Sequence, residues 1–96
     1  MRIQTLREAT LGFNENYQCY WESQNICYAI SDFSFDKDSN ILFLMPYHDH
    51  PIHFKELNII LNTLNSQTKV LIKTKSGDIA PLFGFKIIEQ SKILFS

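Results

Sequence analysis

Ile41 to Leu64 reads ILFLMPYHDHPIHFKELNIILNTL: an apolar strand, a short turn rich in Pro and His, and an amphipathic helix. The first five residues, Ile41-Leu42-Phe43-Leu44-Met45, form an unbroken apolar run of strand length, the pattern of a strand covered on both faces. After Pro51 the spacing changes. Phe54, Leu57, Ile60, Leu61 and Leu64 recur every three to four residues with Lys55, Glu56, Asn58 and Asn62 between them, which predicts a helix over Pro51 to Leu64. Asp49 or His50 suits its cap, and Pro51 suits its first position, where a missing N–H is no loss. A buried strand handing over to a helix puts the turn at the strand's C-terminal end, the place where open α/β sheets bind ligands.

Downstream, the polar run Asn65-Ser66-Gln67-Thr68 ends the helix and Lys69 to Thr74 reads as a strand, with Val70 and Ile72 on one face and Leu71 on the other. Strand, helix, strand at this length implies a right-handed crossover and parallel pairing of the two strands. Ser76-Gly77-Asp78 predicts a very short turn of helix cut by Pro81, and Phe85 to Phe95 closes the chain as one long strand or a hairpin around Glu89-Gln90-Ser91. Upstream, Tyr17 to Glu22 and Ile26 to Phe35 read as strands. Ser23-Gln24-Asn25 separates them, and Asp36 to Asn40 separates the second from Ile41, which predicts a three-stranded antiparallel meander. Arg2 to Leu6 alternates like a strand, and Arg7 to Phe13 reads as a short helix closed by Gly12 or Asn14. The expected architecture is α+β or α/β: one small mixed sheet of antiparallel meander plus parallel crossover, in a single domain over residues 1–96.

Composition narrows the function classes. Hydrophobic content of 45%, with eight Phe, four Tyr and one Trp, argues for a packed core and against disorder. A formal charge of −1 supplies no basic stripe to neutralise phosphates, so nucleic acid is not an expected partner. Lys69, Lys73 and Lys75 cluster, but their alternation in KVLIKTK reads as one solvated strand face. No apolar leader follows Met1 and no segment approaches spanning length, so the expected setting is the cytoplasm, without a membrane. Two cysteines, Cys19 and Cys27, are too few for a disulfide scaffold and read as reduced sheet residues.

The order of three antiparallel strands, helix, parallel strand, short helix and terminal strand pair resembles the acetyl-CoA-dependent N-acetyltransferase superfamily, usually called GNAT, most closely from Tyr17 onward. Ile79-Ala80-Pro81-Leu82-Phe83-Gly84-Phe85-Lys86 resembles the family's ending, in which a short helix runs into Gly-Phe and the last strands. The resemblance implies acetyl-CoA held at the turn after Ile41 to Met45, and the candidate cofactor-binding residues are then Met45, His48, His50 and His53. The family's turn is basic and glycine-rich, so that backbone N–H groups at a helix N-terminus grip the pyrophosphate. Here it is Pro46-Tyr47-His48-Asp49-His50-Pro51-Ile52-His53; all three glycines lie elsewhere, and the position of the family's usual acid, a Tyr, falls on Ala80. The expectation is therefore a truncated and degenerate relative that works without a cofactor by binding a protein partner. Its size would suit a phage or mobile-element product. The alternative is an acyltransferase with an atypical cofactor loop, in which a His or Asp49 serves as base.

His48, His50 and His53 could converge on a metal, but their spacing matches no zinc signature, and no metal is expected. A pH-sensitive surface, a phosphate contact and a plain turn are the other readings. Tyr17, Tyr20 and Trp21 crowd one strand, beside Phe33 and Phe35 on the next. They read either as core with cross-strand pairs or as an exposed patch in which Tyr20 and Trp21 anchor a partner or a second copy in a homodimer. The second reading places Tyr17 to Glu22 at an open sheet edge.

Overall fold

The computed structural model describes all residues, Met1–Ser96. The chain runs α1 (Ile3–Ala9), β1 (Gln18–Ser23), β2 (Ile26–Ala29), β3 (Asp32–Asp36), β4 (Ile41–Met45), α2 (Phe54–Thr63), β5 (Lys69–Lys73), β6 (Ile79–Pro81), β7 (Phe85–Ile88) and β8 (Lys92–Phe95). The domain is α+β, but the strands form two mixed four-stranded sheets rather than the one expected, ordered β3-β4-β5-β6 and β2-β1-β8-β7, because the chain leaves one sheet for the other after Ile30. Each is a pair of antiparallel two-strand units joined by one central parallel pairing, β4 with β5 and β1 with β8.

The stretch from Ile41 to Leu64 folds as strand, turn and helix, as its spacing predicts. However, α2 starts at Phe54 with His53 at its cap, so neither Asp49 nor His50 caps it and Pro51 lies outside it, because the chain from Ile52 to His53 is extended to pair beside β1. β4 and β5 are parallel neighbours with Leu42 beside Val70 and Leu44 beside Ile72, all four fully buried. α2 makes the crossover and buries Phe54, Leu57 and Leu61. Its last carbonyls, which have no partner within the helix, are met by Arg7: the guanidinium donates to Leu61 O through Nε and Nη2 and to Leu64 O at 3.2 Å. A positive charge at a helix C-terminus is also favourable for the helix dipole. One core of 15 buried residues draws on α1, α2 and the facing sides of both sheets.

Four further expectations are corrected. Arg2 to Leu6 is helical: Ile3 and Leu6, three residues apart, are both fully buried, a helical spacing that four or five residues of sequence could not distinguish from alternation. Ile26 to Phe35 is not one strand, and the meander does not form. The Ile30 N–H donates to Cys19 O at 3.0 Å while the next amide, Ser31 N–H, donates to Met45 O at 3.1 Å, so the chain changes sheets between those two residues. The predicted edge strand is interior, because β1 is flanked by β2 and, in parallel, by the C-terminal β8. Ser76-Gly77-Asp78 belongs to a tight turn rather than a helix. Thr74 N–H donates to Asp78 O at 2.8 Å, Gly77 takes φ 94°, and the chain returns as β6. Pro81 is tolerated there because β6 is an edge. Of the two readings for Phe85 to Phe95 the hairpin is right, with Glu89 and Gln90 both at positive φ.

Leu57→Ala and Leu61→Ala should each cost about 2–5 kcal/mol, and Trp21→Ala about 3–5 kcal/mol, as truncations of buried side chains do. Urea unfolding followed by circular dichroism measures this; a loss below about 0.5 kcal/mol at either leucine would mean that the helix face does not support the core.

Candidate functional site

The C-terminal ends of β4 and β5 open onto the β1–β2 hairpin, and three adjoining hollows of about 420, 300 and 440 Å³ lie there. They share walls. Tyr28 and Pro46 line the first and second, Tyr47, His48 and Asp49 the second and third, and Lys75 the first and third.

The turn that forms one wall is held from within by Ser31. The Ser31 hydroxyl accepts hydrogen bonds from the amides of Tyr47 (3.0 Å) and His48 (2.9 Å) and donates to Met45 O (3.2 Å). Farther along, Ile52 N–H donates to Ile30 O at 2.7 Å, Phe54 N–H to Tyr17 O at 2.7 Å and Lys55 N–H to Glu15 O at 3.0 Å. The start of α2 carries its own anion, since Glu56 Oε2 accepts the His53 amide at 2.9 Å. Pro46 and Pro51 have no N–H to offer. Between Pro46 and Lys55 the amides of Asp49 and His50 alone are left without a protein partner.

The predicted site residues fall in different places. His48 lines two hollows and His50 one, beside Asp49 and Lys75. His53 precedes α2 and forms a backbone bridge with Gln18. No three His, Cys, Asp or Glu side chains lie close enough together to hold a metal ion. Met45 is half-buried at the end of β4, with its carbonyl taken by Ser31.

Tyr20 and Trp21 do not make one patch, because successive strand residues point to opposite faces. Trp21 faces the core at 8% exposure and packs against Tyr28 with ring centroids 5.7 Å apart. Tyr20 lies on the other face under the Lys92 ammonium, 5.4 Å from its ring centroid, and borders the second hollow. Cys19 is fully buried, and burial, with a smaller contribution from the Glu56 charge, pushes its thiol up to about 12. Its thiolate form is thus suppressed at neutral pH. Cys27 is exposed and lines the second hollow.

Sequence reasoning missed Ser31 and Tyr28 and read Lys75, which lines two hollows, as part of a solvated strand face. The alternation of Ile26, Tyr28 and Ile30 does carry the face on which Tyr28 lies. Nothing in the sequence marks Ser31 as the residue that occupies the amides of a turn 16 positions later. In comparisons with protein-family models, curated proteins and solved structures, none matches the chain. No helix is long and apolar enough to cross a membrane.

Ser31→Ala removes one acceptor from two amides and should destabilise the fold by about 1–3 kcal/mol. Hydrogen exchange at Tyr47 and His48 should accelerate selectively. Unchanged exchange at both amides would show that the hydroxyl does not hold the turn.

Proposed function

We propose that the chain is a non-catalytic domain on an acetyltransferase-like β4–α2–β5 frame, and that it works by binding an extended segment of another protein along β2 and the adjoining hollows. The observation that carries this reading is the open edge of β2. Gln24 and Asn25, at φ 52° and 65°, make the two-residue connection typical of a tight hairpin, so Ser23 and Ile26 form its closing hydrogen-bonded pair. The backbone groups of Cys27 and Ala29 therefore point away from β1. Those of Cys27, an exposed residue, are available to a strand that adds to the sheet, while Ala29 is buried.

β2 differs from the other three edges in its side chains. β3 carries Asp32 and Asp36, β6 carries Pro81 and β7 carries Lys86, residue types that discourage strand addition. β2 is Ile26-Cys27-Tyr28-Ala29, with Ile26 52% and Tyr28 39% exposed. Cys27, Tyr28 and Ala29 also line the second hollow, across which stand Tyr47 and His48, so an added strand has pockets for alternate side chains.

The cofactor-dependent alternative has less support. A pyrophosphate entering the turn would meet two unbonded amides beside the Asp49 carboxylate, and a helix start already occupied by Glu56.

Selection from a library of random linear peptides, followed by hydrogen exchange on the complex, tests the proposal. Bound peptide should protect the Cys27 amide. Cys27→Pro removes an outward-facing donor without breaking the ladder to β1, and should weaken binding about tenfold or more, or about 1.4 kcal/mol, while the fold persists. Cys27→Ser should bind normally. Peptides that tolerate Cys27→Pro, or a selection that yields no linear binder, would contradict strand addition at β2.

A further inference from the structure

The core uses one face of the β3-β4-β5-β6 sheet, and the opposite face is apolar as well. On that outer face β4 presents Ile41, Phe43 and Met45, β5 presents Leu71, and β6 presents Ile79 and Pro81; none of these belongs to the core. Ile41, Phe43, Met45 and Leu71 stay partly exposed, and Ile79 is 51% exposed. The charges on this face are ordered. Asp32 and Asp36 lie on β3, to one side of β4, while Lys69 and Lys73 lie on β5, to the other. The Lys73 ammonium is 5.4 Å from the Phe43 ring centroid, so its head group stays on this face.

The register places the charges in matching rows. Asp36 pairs with Ile41 and Ile41 with Lys69, one row across the sheet. Asp32 pairs with Met45, and one further step of the parallel register sets Met45 beside Lys73. A two-fold axis running along β4, between two copies stacked face to face, exchanges the β3 and β5 sides and leaves position along the strands unchanged. It stacks Ile41, Phe43 and Met45 on their own copies and sets each Asp row against a Lys row. Asp36 faces Lys69, and Asp32 faces Lys73. The face is thus complementary to itself under the operation that makes closed dimers, in the aligned geometry of packed sheets.

We propose that this face is the interface of a homodimer in which β4 packs on β4 of a second copy and the β3 carboxylates meet the β5 ammoniums. With about 3.3 Å per residue and about 4.8 Å between strands the face measures roughly 17 by 19 Å. That is smaller than the ~800 Å² per partner of a standard interface, so the dimer is a weak one. It is separate from the β2 edge, which belongs to the other sheet.

Sedimentation velocity from about 10 µM to about 1 mM covers the relevant affinities. The wild-type chain should pass from monomer to dimer in that range, and the dimer should weaken as salt rises, because rim ion pairs are screened. Lys69→Glu/Lys73→Glu replaces both β5 ammoniums by carboxylates and leaves Arg2, the bridge partner of Lys69, as the basic residue beside them. Asp32→Lys/Asp36→Asn leaves no carboxylate on it, while keeping an acceptor oxygen at position 36 for the amides of Asp38 and Ser39. Each variant alone should lose dimerisation by about tenfold or more, and an equimolar mixture should recover it as a heterodimer. Circular dichroism confirms that both are folded; should either fail to fold, the salt series on the wild-type chain decides. A wild-type chain that stays monomeric, a dimer indifferent to salt, or folded variants that dimerise alone as well as in mixture would overturn the proposal.

Discussion

Two consecutive amides, those of Ile30 and Ser31, must find partners in a region where Ile30 is fully buried, and they find them in different sheets. A buried N–H without a partner costs about as much as a lost hydrogen bond, so this seam admits few solutions. It is completed by Ile52, which donates to Ile30 O and accepts from Cys19 N–H, filling the place beside β1 that β2 leaves when the chain turns away. Gln18 and His53 extend the same pairing by one bridge. The segment between β4 and α2 therefore stitches the two sheets together as well as linking two elements.

That role constrains the chemistry. A turn whose amides are used to satisfy a seam cannot also offer them to a ligand. The Ser31 hydroxyl takes two of them, the seam and β1 take others, and Glu56 closes the start of α2. What remains at the open end of the β4–β5 pair is the two amides of Asp49 and His50, beside the Asp49 carboxylate, and side-chain surface: Tyr28, Tyr47, His48 and Lys75 around the shared hollows. The proposal of a bound polypeptide rests on this surface and on the strand edge beside it.

The parts legible in the sequence are those governed by local periodicity. The apolar run of β4, the helical spacing of Leu57 and Leu61 and the parallel crossover to β5 follow from patterns within a few residues of one another. What the sequence concealed depends on long-range partners. The strand-like stretch from Ile26 to Phe35 conceals a change of sheet, because its alternation persists through Ile30 and Ser31 whichever sheet they join. β1 looks like an edge until β8, more than 70 residues away, pairs with it. Tyr20 and Trp21, by contrast, were legible: as successive strand residues they point to opposite faces of β1, and reading them as one patch set that period aside. The histidine turn was legible as the place where a site should lie, while Ser31, which decides what that site has to offer, was not.

We propose that the hydrogen bonds of the turn after β4, with Asp49 beside its two unbonded amides, close it to a nucleotide-bearing cofactor. The most direct test is a titration of the ¹⁵N-labelled chain with acetyl-CoA to millimolar concentration, reading the amides from Tyr47 to Phe54 together with the melting temperature. No saturable shift at these amides and no change in melting are expected. Saturable shifts there, with the stabilisation of about 2.7 kcal/mol that a ligand at a hundred times its Kd confers, would contradict the proposal.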